Sequence, residues 1–385
     1  NSVQFGAPGG IFTTPETTYN PLVIAVDDNG TTVDGTTGGT SVSNILDNDL
    51  YDGNPVTTGD VSVSVVSAAS DPGVELNTTT GEVTVDAGTP IGTYTIVYQI
   101  CLNADPNNCD IANIFVEVSG STSVTNYFPA GGYGTLAFED LWPGKGDYDF
   151  NDLVLDYQFE ITSDASNYVD EVVGTFVIKA FGATLENGFG FQLSDDINPA
   201  DLSVSGYSLS ENYITLEANG TESGQSKPTI IVYDNAFNEM THPGVGIGVN
   251  TEPGAPYIDP VSLTITITFP DDTYTLTDLN IAGFNPFLIV DLNRGVEVHL
   301  PDYKPTDLVD QSIFGTLDDD SDPASDRYYK TENNLPWAIN IYESFDYPKE
   351  KVEIVNAHLR FADWATSNGN LYPDWYQDNP GYRNE

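Results

Sequence analysis

The sequence predicts an all-β protein of two β-sandwich domains, the first small and the second larger, jelly-roll-like and carrying a C-terminal helix. Three observations carry this reading. Thr, Val, Ile, Tyr and Phe, which suit a half-buried pleated surface, are abundant. The chain holds 35 Gly and 24 Pro, the residues that make turns. Apolar residues recur with period two in short runs, and turn signals separate the runs at roughly 8–12 residue intervals.

Residues 1–21 place Val3, Phe5, Ile11 and Phe12 between Gly and Pro breakers and read as an arm. Residues 22–118 read as the first sandwich. Val61, Val63 and Val65 alternate with serines, and Val83 and Val85 follow a turn at Gly81. Thr93–Ile100 and Ile111–Val118 are two further strands. Cys101 and Cys109 flank the turn-rich loop between them and are expected to form a disulfide that clamps the hairpin. Residues 119–126 read as a polar linker and 127–385 as the second sandwich. There Leu153, Leu155, Tyr157, Phe159 and Ile161 line one strand face. Strands are expected again at 172–181, 213–216, 229–233, 261–269, 287–292 and 296–300. Near the end, Pro348 suits a first helical turn. Ile354, Val355, His358, Leu359, Ala362 and Ala365 share a helical face, and Gly369 stops it.

The 385 residues include 11 Lys+Arg against 58 Asp+Glu, a net charge of −47. Such a chain has nothing with which to neutralise phosphates, which excludes nucleic acid as a partner. Docking on anionic lipid is disfavoured on the same ground. Hydrophobic residues at 39% and aromatics at 11% are enough to build cores, so this is not a disordered acidic tail. Charged residues are only 18% against a typical ~25%, so the imbalance reflects missing Lys and Arg. A surface this acidic repels itself unless cations screen or bridge it, and divalent metal is the economical answer. No run approaches the ~20 apolar residues of a spanning helix, so membrane insertion is not expected. The opening at Asn1, without a basic-then-apolar leader, predicts a secreted chain whose signal peptide has been removed.

The sharpest motif is FEDLWPGKGDYDFNDLVLDY, residues 138–157. Asp147, Asp149 and Asn151 are spaced i, i+2, i+4, Asp152 follows, and Glu139 and Asp140 stand upstream. A hard cation such as Ca²⁺ takes six to eight oxygens, and a curled loop with donors on alternate residues aims them at one centre. The opening matches the D-x-D-x-N of an EF-hand. Asp152 then occupies the glycine position, and Gln158 stands where the closing Glu belongs. A strand follows, so the expectation is a calcium-type loop in a β context, packed by Trp142, Tyr148 and Phe150.

This segment, extended to Phe159, resembles the opening motif of the LruC-type domain of bacterial secreted and surface proteins. The resemblance continues through residues 283–307, 315–341 and 345–384 and so covers almost all of 127–385. It implies a calcium-type acidic motif and an exported bacterial cell-surface protein, and no reaction. The first domain resembles cadherin-like or immunoglobulin-like surface repeats through its AVDD (25–28) and LDND (46–49) stretches.

Asp27, Asp28, Asp47 and Asp49 in those stretches form a second metal candidate, with ordinary Asp turn chemistry as the alternative. Asp318, Asp319, Asp320, Asp322 and Asp326 form a third, with an exposed acidic loop as the alternative.

Catalytic patterns are absent. His242, His299 and His358 form no H-E-x-x-H pair, and no G-x-S-x-G elbow occurs. His242 reads as an exposed turn residue, and His299 and His358 as structural. Among so many acids, a glycosidase-like carboxylate pair carries no information. The chain is therefore expected not to be an enzyme, with polysaccharide degradation the remaining catalytic option. Tyr372, Trp375, Tyr376 and Tyr382, among Asp, Asn and Pro, suggest an exposed aromatic surface for glycans. The arm either forms the first strand of its own sandwich or adds to a neighbouring copy as a donor strand. Head-to-tail addition gives a filament when it does not close. The expectation is thus a secreted, calcium-binding subunit of an extracellular filament or matrix, with itself as principal partner. A monomeric adhesin that binds glycans or other surface proteins is the alternative.

Overall fold

The computed structural model describes residues 21–120, 123–182 and 184–384. Apart from Pro21, the segment read as an arm lies outside the described residues, and so does its pairing in cis or in trans. The chain divides into two compact units, Asn1–Thr122 and Ser123–Glu385. Both are built from β-sheets, as the alternation of apolar residues predicts.

In the smaller unit one sheet runs Asp28–Asn29, Asp105–Ser119, Gly92–Leu102, Val61–Ser67, and Val33–Asp34 also pairs with Asp105–Ser119. A second sheet runs Gly39–Val42, Val83–Val85, Val74–Leu76. Tyr94, Ile96, Tyr98, Ile100 and Leu102 alternate inward along the long central strand. They share a core with Val74, Val83, Ile114 and Val116. Cys101 and Cys109 stand opposite each other in the hairpin ladder and form the expected disulfide.

In the larger unit a seven-stranded sheet has the order Ser203–Ser205, Val261–Thr268, Val169–Ala180, Leu153–Ser163, Gly134–Phe138, Ala338–Ile341. Its seventh member, Val124–Phe128, also pairs with Leu153–Ser163. Residues 124–126 therefore belong to a strand and not to the expected linker, because their backbone joins the ladder of the sheet. A four-stranded sheet runs Thr229–Tyr233, Gly188–Gln192, Asn285–Ile289, Glu297–His299. Phe159 and Phe176 of the first sheet meet Phe191 of the second at 5.6 and 5.4 Å between ring centroids, which closes a sandwich. The strand expected at 213–216 is reduced to a single bridge between Leu216 and Glu222.

The expected C-terminal helix is two short ones, Ile354–Ala357 and Phe361–Thr366. Two features end the regular pattern. His358 bridges to Arg383, and the Leu359 amide donates to the Tyr382 carbonyl at 2.7 Å, which takes the chain out of the helix. Upstream, the amides of Lys351 and Ile354 are spent on Asp149 and on the Tyr148 carbonyl, so Pro348 starts no helix. Gly369 follows the second helix with φ +79°.

Candidate functional site

Residues 139–152 are the loop of a β-hairpin closed by the pair Phe138 and Leu153. The loop is an interior structure: Glu139, Asp140, Tyr148, Asp149, Phe150, Asn151 and Asp152 are all buried. Its geometry follows from an alternation of backbone and side chain. Gly146, Tyr148 and Phe150 take φ of +69°, +61° and +54°. That region is natural for glycine and costs aromatic residues roughly 1–3 kcal/mol each. Packing offsets the cost. Tyr148 and Phe150 lie 5.0 Å apart between centroids, Phe361 meets both edge to face, and the Tyr148 hydroxyl donates to the Pro336 carbonyl at 2.8 Å.

The same curl turns the intervening acids to one centre. Among the described residues, Glu139, Asp147 and Asp149 are the one group of three whose ligand oxygens lie within 4.8 Å of one another. Glu139 accepts from the Tyr148 amide at 3.1 Å and from the Phe150 amide. Asp149 accepts from the Lys351 amide at 2.7 Å. Asp140 accepts from the Asn187 side-chain amide at 2.8 Å, and Asp152 from the Asp140 backbone amide at 2.9 Å. All these donors are neutral. Among the described residues no Lys, Arg or His forms an ion pair with Glu139, Asp140, Asp147, Asp149 or Asp152.

The acids therefore raise one another. Burial, then Asp149, Asp147 and Asp140, push Glu139 well above the carboxylate range, although the Phe150 amide pulls the other way. Burial and Asp147 push Asp149 up to about 7. Asp140 and Asp152 are raised chiefly by burial, and Asp152 also by Asp140. Two buried oxygens, Asp140 Oδ1 and Asn151 Oδ1, have no hydrogen-bond partner. Hard oxygen donors, mutual repulsion and unpartnered lone pairs are the donor set of a hard divalent cation such as Ca²⁺.

The other acidic stretches form no such group. Asp318 accepts from the Lys145 amide at 2.9 Å and so braces the loop from outside. Asp319 accepts from Gly315 and Ser321, Asp320 pairs with Arg327, and Asp322 caps the turn at Ala324. In the smaller unit Asp27 accepts from Asn113, Asp47 from Asn44, and Asp49 from the Val26 amide and the Tyr98 hydroxyl. Asp28 is buried with its Oδ2 lacking a hydrogen-bond partner, and burial, with the Asp49 charge, pushes it up to about 7. Apart from Asp28, these acids are taken up by amides, hydroxyls and Arg327, some in local turns and caps and some on distant segments.

Sequence reasoning missed Asn187, Asp291, Glu350 and Gly182. Asn187 bonds Asp140, Asp291 adds to the charge on Asp140, and Glu350 is raised by burial and then by Asp147. They arrive from distant segments and carry no local signal. The aromatic surface for glycans is also corrected. Trp375 is 1% exposed, wedged between Phe345, Phe361 and Trp364, and Arg360 stacks on Tyr372. His299 and His358 are buried as expected. His242 is half-buried against Phe237.

Residues 167–376 match the model of a domain of unknown function, DUF4842. The chain belongs to this family. The match takes in most of the larger unit and begins after the acidic loop. A crystal structure of a candidate lipoprotein from Bacteroides ovatus is similar over 86% of this chain and 100% of its own, with a TM-score of 0.50 at 15% identity. That likeness shows the fold of a DUF4842 chain. Human desmocollin-1 and human CDH23 repeats 21–23 match with TM-scores of 0.22 and 0.24. The first covers 72% of this chain and 78% of its own at 8% identity, the second 62% and 92% at 11%. Likeness at that level does not establish a cadherin-type first domain. No curated protein sequence matches the chain.

Proposed function

We propose that this chain is a calcium-binding structural protein of a bacterial cell surface, acting by binding and assembly and not by catalysis. One observation carries the reading: Glu139, Asp147 and Asp149 converge in a packed loop, and among the described residues no Lys, Arg or His pairs with them. Ca²⁺ would occupy that centre and join the hairpin loop to the Lys351 segment that donates to Asp149. Extracellular calcium modules bind at ~10⁻⁴–10⁻³ M, which gives constitutive occupancy outside cells. The LruC-type resemblance of residues 127–385 and the candidate lipoprotein that shares the fold support an exported, surface-held location.

The assembly part rests on the smaller unit. Val61–Ser67 and Val74–Leu76 are edge strands of their two sheets among the described residues. Between them lies a cleft of about 540 Å³ lined in part by Val65, Val74, Leu76 and Ile96. Val65 and Val66 are exposed on the rim. An open edge over an apolar cleft suits an added strand. The apolar residues of 1–21 in a second copy are the occupant we propose, which makes the chain its own head-to-tail partner. The adhesin alternative loses Trp375 from its aromatic glycan surface, since that residue is core, and keeps the half-buried Tyr372, Tyr376 and Tyr382.

Electron microscopy and limited proteolysis of the protein in calcium and then in EDTA test this. Filaments that shorten in EDTA or on deletion of residues 1–20, with cleavage in 139–152 appearing only in EDTA, are expected. Dispersed particles and unchanged cleavage in both conditions would overturn it.

A further inference from the structure

The acids of the loop are too many and too deep for one ion. Glu139, Asp140, Asp149 and Asp152 are 0%, 1%, 1% and 5% exposed, and Asp147 is the least buried member of the set. One divalent cation among these five carboxylates leaves a charge of about −3 beside a core, and two leave about −1. The unpartnered oxygens are not in the group already described. They are on Asp140 and Asn151, both buried.

Gly182 marks the place. A methyl group at this glycine would stand 2.3 Å from Asn151 Oδ1 and 3.0 Å from Asp152 Oδ1, with the Asn151 carbonyl 3.2 Å away. The Gly182 backbone thus packs directly on the Asn151 and Asp152 side chains, its amide donating to the Asn151 carbonyl at 2.6 Å, where only a residue without a side chain fits. The Asp140 amide donates to the Asp152 carboxylate at 2.9 Å, which holds the two residues together. Asn187 orients Asp140 by donating to its Oδ2, which leaves Oδ1 free and buried. Asn151 is likewise held by its amide, which donates to the Pro348 carbonyl at 3.3 Å, so that its Oδ1 is the end left over. Both side chains are oriented by their other polar atom and offer an oxygen to a space with no donor in it.

We infer that the loop holds a second divalent cation, beside the first, bound by Asp140, Asn151 and Asp152 near the backbone of Gly182. This rests on the calcium reading of Glu139, Asp147 and Asp149. The outer position reaches solvent through Asp147, whereas every side chain of the inner one is buried. All the inner donors are oxygens, so Ca²⁺ fits it better than a softer metal.

Native mass spectrometry of the full chain in calcium acetate counts the ions. The readout is the difference from wild type, so calcium bound elsewhere cancels. Asp147→Asn is expected to lower the count by one through the outer position. Asn151→Ala removes an inner donor without adding bulk, and Gly182→Ala fills the inner space. Each is expected to lower the count by one, and Asp147→Asn combined with Asn151→Ala by two. Gly182→Ala also drives a methyl group against Asn151, so the Asn151→Ala pair decides. If Asn151→Ala keeps the wild-type count, or the double variant loses only one ion, the inner position does not exist and the outer reading stands. If wild type binds no calcium that EDTA removes, both readings fail together.

Discussion

Glu297 and Glu139 are both fully buried acids of the larger unit, yet they behave in opposite ways. Burial raises each of them. Around Glu297, bonds from His299 and Thr306 and the Arg294 charge outweigh it and hold the carboxyl at about 2. Arg294 also reaches Glu222, at 2.7 Å, and donates to Thr306 at 3.0 Å, so the group is closed on itself. Around Glu139 the neighbours are more acids, and it is driven well above the carboxylate range. The first group carries its own cation. The second has neutral amides and further carboxylates, and among the described residues no Lys, Arg or His pairs with it. The same chain thus pairs buried charge internally where the structure is permanent, and leaves it open where we place an ion from solvent.

The comparison breaks most visibly at Arg294. Arg294→Met strands Glu222 and Glu297 and should cost about 3–5 kcal/mol in urea unfolding of the larger unit, the same in calcium and in EDTA. A loss that calcium repairs would mean the two groups are not independent. Next, calcium at about 100-fold its dissociation constant should stabilise the larger unit by about 2.7 kcal/mol over EDTA. Glu139→Gln should abolish that increment while leaving the EDTA baseline equal or higher, because a buried repelling acid is gone. Thermal melts in both buffers check this.

The smaller unit sharpens the contrast from outside. Replacing Cys101 and Cys109 by Ser should cost about 2 kcal/mol, less than a long-loop disulfide, because the hairpin ladder already holds the two residues opposite each other. Chemical unfolding should assign the loss to the smaller unit alone. The smallest effect is a pH slope. The Asp28 carboxyl is raised from its ordinary value to about 7 in the folded state, so folding binds a proton that the unfolded chain has released. Its destabilisation is absent below about pH 4, grows as pH rises and is complete above about 7. In EDTA, Asp28→Asn should flatten that fall and raise the melting point by a few degrees at pH 8. A wild-type slope of the opposite sign would contradict the assignment.

Much of this was legible in the chain. The alternation from Leu153 to Ile161 gives both strand and face, because side chains of a strand point to opposite sides with period two. The i, i+2, i+4 spacing of Asp147, Asp149 and Asn151 marked the loop, and the aromatics between them marked it as packed. What stayed hidden depends on distant chain. Gly182 and Asn187 reach the loop from across the sheet, and no local pattern ties them to it. The run at Asp318–Asp322 looks like the loop in composition and differs in fate, since free amides and Arg327 take up its carboxylates. The helix from Pro348 failed for the same kind of reason, as its amides were claimed by Asp149 and Tyr148.

Calorimetric titration of the EDTA-dialysed protein with Ca²⁺, beside Asp149→Asn, tests the central claim most directly. The account predicts saturable binding at ~10⁻³ M or tighter in wild type and at least tenfold weaker binding in the variant. Equal binding by both proteins, or none by wild type, would contradict it.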